Sequence, residues 1–202
     1  AVEESQRAES DDFGLRVLVG RRQAVISTND CRDDAMDALA ERAVAMARAA
    51  PEDPFAGLPD AGQLAHDIPD LDLVDDAEPS VEYLEGLARR AEAAARGVKG
   101  VSKSGGASAS AGIGGLVIAN SLGFTGAYLG SHYGVSVQAI SGEGTGMERD
   151  YEFSAAPHRA DLQDPELIGR LAGERAVRRL NPRKVSTHRV PVIFESRAAG
   201  SL

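Results

Sequence analysis

Hydrophobic and polar positions alternate between residues 14 and 28, where Leu15, Val17 and Val19 are followed by Ala24, Val25 and Ile26 across Gly20, Arg21 and Arg22. A period of two predicts a pair of antiparallel strands joined by a short turn. The spacing then changes to three and four at Met36, Leu39, Ala40, Ala43, Val44 and Ala47, which predicts an amphipathic helix. Asp33 or Asp34 is placed to cap that helix, and Pro51 ends it near Ala50 by biasing the residue before it away from helical geometry. A second helix is predicted over 80–96, with Val81, Leu84, Leu87, Ala91 and Ala94 or Ala95 inward and Gly97 closing it. The third is the best signalled: Asp164 caps, Pro165 occupies the first turn, Glu166 favours its positive end, and Ile168, Leu171, Ala172, Ala176 and Leu180 form the buried stripe before Asn181 and Pro182.

Two stretches follow neither period. Residues 51–79 hold nine acids, five prolines and no Lys or Arg, which predicts an irregular surface loop or a lid. Residues 97–146 contain fourteen of the 22 glycines and alternate small polar with small apolar side chains. They are expected to form a meander of antiparallel strands with a turn at Asn120 and Ser121, in which Leu116, Ile118, Tyr133, Val135 and Val137 supply the larger core contacts. The succession of strands and helices gives an α+β (mixed α/β) chain, with helices packed on a largely antiparallel sheet.

Composition narrows the functions. A chain of 202 residues, 43% hydrophobic, can bury roughly 70% of its unfolded surface. Its net charge of −9 argues against nonspecific nucleic-acid binding, which rests on Lys and Arg neutralising phosphates. Eight basic residues do fall between 170 and 197, a distribution more typical of a solvated helix face or a complement to an acidic partner. Cys31 is the only cysteine, so no internal disulfide can form. No apolar run reaches the roughly 18 residues that cross a bilayer, and the opening residues lack a basic stretch followed by an apolar one; no membrane association and a cytoplasmic location are expected.

A self-contained active site is not legible. His66, His132, His158 and His188 lie far apart, without the short spacing of a helical zinc pair. "GIGGL" and "GEGTG" do not match a phosphate loop, and no Gly-x-Ser-x-Gly elbow occurs. The acids that end the glycine-rich region, Glu143, Glu148, Asp150 and Glu152 around Arg149, stand before His158. They fit a metal or acid/base site, or the wet face and turn of a strand pair.

The segment "GMERDYEFSAAPHRADLQDPELIGRLAGERAVRRLNPRKVSTHRVPVIFE", with "FGLRVLVGRRQAVISTND" and "IANSLGFTGAYLGSHYGVS", resembles the PmbA (TldE) branch of the TldD/PmbA family, continuously from about Phe13 onward. The resemblance implies an N-terminal fragment of a protein roughly twice as long. Residues 1–185 would be an α+β domain of PmbA/TldD type, and 186–202 the start of a truncated, mostly β domain whose first strand is "VPVIFE". It implies that zinc is carried by an HExxxH motif in a TldD-like catalytic subunit, and that the PmbA-type chain joins that subunit to degrade or trim unfolded peptides. The family's older names refer to modulation of DNA gyrase. No HExxxH occurs here, so no catalytic residue, metal ligand or cofactor is transferred to this chain. Glu148, Arg149, Asp150 and Tyr151 become candidates for a domain or subunit contact, with Arg149 able to grip a carboxylate and Asp150 a backbone donor or basic partner. Ser104, Gly105, Gly106, Ser108 and Ser110 become candidates for a peptide-facing sheet, since small side chains let another backbone approach. Self-association is expected through the strand edge at 190–195, where Pro191 favours an edge position.

Overall fold

The computed structural model describes residues 3–200. The order is two strands, β1 (Phe13–Val19) and β2 (Arg22–Thr28); helix α1 (Asp33–Ala49); helix α2 (Val81–Gly97); strands β3 (Val101–Ala119), β4 (Thr125–Ser141) and β5 (Glu148–Ala156); and helices α3 (Pro165–Arg178) and α4 (Ser196–Ala199). Helices on antiparallel sheets make this an α+β fold. Internal contacts divide the chain into two units, one of residues 1–72 and 114–129, the other of 73–113 and 130–202.

In the first unit β1 and β2 form a hairpin running from Phe13 opposite Thr28 to Val19 opposite Arg22. Gly20 turns it at φ +60, where a side chain would be strained. Helix α1 packs on this hairpin and buries Leu39, Ala43 and Ala47, the positions its period predicts. Its N-cap is Arg32, which makes no side-chain capping bond, so Asp33 and Asp34 sit one and two places inside the helix rather than capping it. At the other end Arg22 Nη1 donates to the carbonyls of Arg48 and Ala50, each at 3.1 Å, satisfying acceptors that the helix leaves open. Cys31 is exposed beside the helix start.

In the second unit the sheet order is β3-β4-β5, and α2 and α3 lie together. One core joins Leu87, Ala91 and Ala95 of α2, Val135, Val137 and Ala139 of β4, and Ile168, Ala172 and Ala176 of α3. The two helices approach closely because Gly169 and Gly173 face Ala91, Ala95 and Val98; a Cβ at Gly169 would overlap the Ala91 carbonyl oxygen. Ser80 caps α2 by accepting from Tyr83 N (3.2 Å), and Asp164 caps α3 by accepting from Glu166 N (3.2 Å). Arg90 of α2 links the helices again through Asp164 (2.9 Å) and Glu166 (3.1 Å). The end of the acidic segment is docked, not loose: Ser131 N donates to Leu73 O (2.8 Å), and Ser131 Oγ accepts from Asp75 N (2.7 Å) while donating to Pro157 O (2.7 Å).

The glycine-rich region forms the expected antiparallel strands, β3 and β4, with the turn at 120–124 where Asn120 and Ser121 place it. One expectation is corrected. Tyr133, Val135 and Val137 are buried as expected, but Leu116 and Ile118 are exposed, because they lie in the hairpin's distal part. Residues 190–195 form no strand; Val190, Val192, Ile193 and Phe194 are exposed, since no sheet partner reaches them among the described residues. The chain is held there by a polar network instead.

Candidate functional site

Strand β5 separates its residues by parity. Asp150, Glu152 and Ser154 are buried on the face toward α3, whereas Arg149, Tyr151 and Phe153 are exposed on the other. Carboxylates on a covered face need charged partners, or burial would neutralise them. Helix α3 and its C-cap supply these four residues apart: Arg175 pairs with Glu152 Oε2, and Arg179 Nε donates to Asp150 Oδ2 (2.6 Å). The remaining oxygens accept backbone donors, Asp150 Oδ1 from Tyr151 N (2.8 Å) and Glu152 Oε1 from Phe153 N (3.1 Å).

Arg197, on α4, completes the cluster. Its Nε and Nη2 grip Glu195 in a fork (3.0 and 2.9 Å), and its Nη1 donates to Asp150 Oδ1 (3.2 Å) and to the carbonyl of Tyr151 (2.6 Å). Its guanidinium lies 4.8 Å from the Tyr151 ring centroid, a cation–π position. Within this chain the carboxylate fork is made by Arg197, while Arg149 is exposed. Three arginines meet three carboxylates, so the cluster is neutral and the C-terminal segment is fastened to β5 and α3. Burial alone would push the Asp150 carboxyl up, but the bonds from Arg179, Tyr151 N and Arg197 outweigh it and hold the group below the ordinary carboxylate range. The bond from Arg197 likewise lowers Glu195, and Glu195 raises Arg197 in return.

The opposite, open face of the sheet carries the small residues. Ser104 Oγ accepts from Gly106 N (3.0 Å), and Gly106 has φ +105, conformationally open to glycine. Ser108 and Ser136 share a hydroxyl bond (2.9 Å). The Gln138 side chain lies over Gly105, the His132 ring over Gly112, and Ser110 beside Gly134. A shallow, open depression of about 430 Å³ is lined by Gly105, Gly106, Ser108, Gln138 and Tyr151. The structure therefore brings Tyr151 together with the glycine and serine candidates and places Asp150 and Glu152 behind them. Glu148 is half-buried at the start of β5, and Glu143 precedes a 3₁₀ turn, Gly144–Gly146, that joins β4 to β5.

Among the described residues no three His, Cys, Asp or Glu side chains gather to hold a metal ion, and the acids nearest one another on β5 are engaged by arginines. No helix among the described residues is long and apolar enough to cross a membrane.

The sequence could have foreshadowed the cluster. Acids at 148, 150 and 152 follow strand spacing, and Arg175 and Arg179 follow helix spacing, so each set shares a face. Glu195 and Arg197 carry no such signal, because their place depends on a segment without regular structure.

Comparison with known proteins agrees at several levels. Residues 74–180 match the PmbA/TldA metallopeptidase central domain and residues 1–47 the PmbA/TldA metallopeptidase domain 1. The metalloprotease PmbA homolog of Haemophilus influenzae is 34% identical over 96% of this chain and 43% of its own length. Metalloprotease PmbA of Escherichia coli is 36% identical over 94% of this chain and 42% of its own. The chain thus spans less than half the length of these relatives. A Bacteroides thetaiotaomicron protein named for modulation of DNA gyrase has a structure that superposes with a TM-score of 0.81 at 25% identity, covering 89% of this chain and 42% of that one. The structure of TldE from Thermococcus kodakarensis shares the fold, with a TM-score of 0.60 at 20% identity over 81% of this chain and 36% of that one. With two family domains matched in order and an α+β fold in common, the chain belongs to the PmbA/TldD metallopeptidase family, on its PmbA side.

Proposed function

We propose that this chain is the N-terminal part of a non-catalytic, PmbA-type subunit, and that a TldD-like partner carries the zinc and hydrolyses unfolded peptides in the cytoplasm. The observation that carries this reading is the engagement of Asp150 and Glu152: each carboxylate accepts from an arginine and from a backbone amide. A carboxylate so neutralised is a poor general base and a poor metal ligand. Peptide hydrolysis at neutral pH needs an activated water and a polarised carbonyl, which the zinc of the partner would supply. The role left to Asp150, Tyr151 and their neighbours is to hold chain segments in place.

The test is peptide turnover by the chain alone and with a co-expressed TldD-type subunit, using an unfolded peptide with and without a chelator. Turnover is expected only with the partner, and zinc should co-purify with the partner. Chelator-sensitive cleavage by this chain alone would sink the reading.

A second reading, an extended-peptide binding surface, is favoured by the open depression that joins Gly105, Gly106 and Ser108 to Tyr151. Strand β3 is also an edge of its sheet, where a peptide can add as a further strand. Photo-crosslinking with an unfolded peptide should label 104–110; labels confined elsewhere would remove this face from the peptide's path. Modulation of DNA gyrase by direct DNA contact gains no support from a net charge of −9.

A further inference from the structure

Strand β5 lies at one side of the β3-β4-β5 sheet, so alternate residues turn their amide and carbonyl groups away from β4 toward an open edge. The side-chain bonds show which residues these are. Tyr151 N donates to Asp150 Oδ1 (2.8 Å) and Phe153 N to Glu152 Oε1 (3.1 Å), while Tyr151 O accepts from Arg197 Nη1 (2.6 Å). Each acid thus closes off the backbone amide that follows it. A segment with strand-forming composition is fastened to that edge at one end only. Arg175 reaches both Glu152 and, at 3.8 Å, Glu195, and Arg197 reaches both Asp150 (3.2 Å) and Tyr151. Just before them Val192, Ile193 and Phe194 are exposed, Ile193 at 97%, and no backbone hydrogen bond joins them to β5 among the described residues.

We propose that the open edge of β5 is a strand-docking site, that its occupant is this chain's own segment 192–195, and that Glu152 is the gate. The fastenings define the register. Glu195 beside Glu152 and Arg197 beside Asp150 are successive steps of one antiparallel alignment, which carries Phe194 to Phe153 and Val192 to Ala155. In that alignment Phe194 and Val192 turn their backbone groups to β5, and Pro191, which has no N–H to give, turns its nitrogen away. Phe194 joins Phe153 and Tyr151 on the open face as a cross-strand aromatic neighbour, and Ile193 turns to the side of α3 and gains cover. The backbone donor that this docking needs and finds taken is Phe153 N, held by Glu152 Oε1. Tyr151 is not contested, because it falls opposite Ser196, where α4 begins. Arg197 is therefore the pin, and Glu152 decides whether the segment closes. A strand from another molecule would have to displace Glu195 and Arg197, whereas the pinned segment has only a short loop to close. This docking is independent of the subunit reading.

Hydrogen exchange of the full chain reads the gate. Glu152→Ala frees the Phe153 amide while Arg175 keeps Glu195 as a partner, and exchange at Val192 and Phe194 should slow about tenfold or more against the wild type. Adding Phe194→Pro removes a donor that faces β5 and should abolish the protection at Val192; adding Ile193→Pro, whose nitrogen faces away, should keep it. A cross-link reads the register without touching Glu152, and it stands in if Glu152→Ala fails to fold. With the exposed Cys31 changed to Ser, Phe153→Cys with Phe194→Cys should form an intramolecular disulfide under oxidised glutathione, and Phe153→Cys with Ile193→Cys, on opposite faces, should not. Exchange at Val192 and Phe194 that is unchanged or faster in Glu152→Ala, an equal loss with the two prolines, or no preference between the two cysteine pairs would overturn the proposal. So would protection that grows with protein concentration, which would give the edge to a strand of a second copy.

Discussion

Arg197 lies across Tyr151 in two ways at once: it donates to the tyrosine's carbonyl at 2.6 Å and holds its guanidinium 4.8 Å from the ring centroid. That single side chain connects α4 to β5 and also bridges Asp150 and Glu195. Arg197→Ala should therefore release the C-terminal segment before it disturbs the core. Limited proteolysis is expected to cut between 182 and 200 faster than in the wild type. The local loss should be about 2 kcal/mol, the scale of hydrogen bonds to charged groups. Arg197→Lys should rescue little, because an ammonium cannot make the fork to Glu195 while reaching Asp150. Equal protease resistance in all three proteins would refute the strap.

The same cluster sets an acid limit. Asp150 and Glu195 have folded-state pKa values below their ordinary range, so each contributes stability that is complete above its unfolded value of about 4. That contribution fades as pH falls through the lowered folded value. The C-terminal segment should stay protected at pH 5 and be released in the acid range below about 4. Asp150→Asn should reduce the pH dependence of release. A release centred near neutrality would show that some other group controls it.

The Gly169 contact makes a sharper test of helix packing. A methyl group there meets the Ala91 carbonyl, which is backbone and cannot swing aside. Gly169→Ala should raise helix propensity in α3 and still destabilise the protein, by about 2 kcal/mol, because overpacking outweighs the propensity gain of about 1 kcal/mol. Thermal or urea unfolding reads the sign. A stabilised variant would mean that α2 and α3 separate at little cost.

The helices were legible because burial obeys their period: Leu39, Ala43 and Ala47, then Leu87, Ala91 and Ala95, and then Ile168, Ala172 and Ala176. The β1–β2 turn was legible from Gly20. Leu116 and Ile118 misled because hydrophobicity reports that a side chain favours cover, not that the same chain provides it. Residues 190–195 form no strand here, since β-rich composition makes a strand only where a partner strand is present. The acids of β5 were visible as a group, but the choice between chemistry and fastening depended on Arg175, Arg179 and Arg197, which tertiary packing brings to them.

Ser131 tests whether the end of the acidic segment is part of the fold. Its hydroxyl accepts from Asp75 N and donates to Pro157 O, and it is almost wholly buried. Ser131→Ala would leave both backbone groups without that partner, a loss of about 1–3 kcal/mol. Ser131→Cys should recover only part of it, since sulfur is a weak hydrogen-bonding atom. Urea unfolding of the variants should follow that order, and exchange at Asp75 and Ala77 should quicken. Unchanged exchange at those amides would make 73–77 a bystander.

Ser141 invites the opposite expectation. Its residue is fully buried, and its hydroxyl has no hydrogen-bond partner among the described residues. A buried polar atom without a partner costs about 1–3 kcal/mol relative to an apolar group of the same shape. Removing the oxygen leaves a void smaller than a methyl group, so the loss of packing is the lesser effect. Ser141→Ala should leave the fold intact and raise stability by about 1 kcal/mol, measured as a higher urea midpoint with an unchanged slope. Ser141→Val should destabilise, because two methyl groups would be forced in where only one small side chain fits. A clear loss of stability in Ser141→Ala would mean that the hydroxyl has a partner in solution, and a buried water at the end of β4 would then be the first place to look.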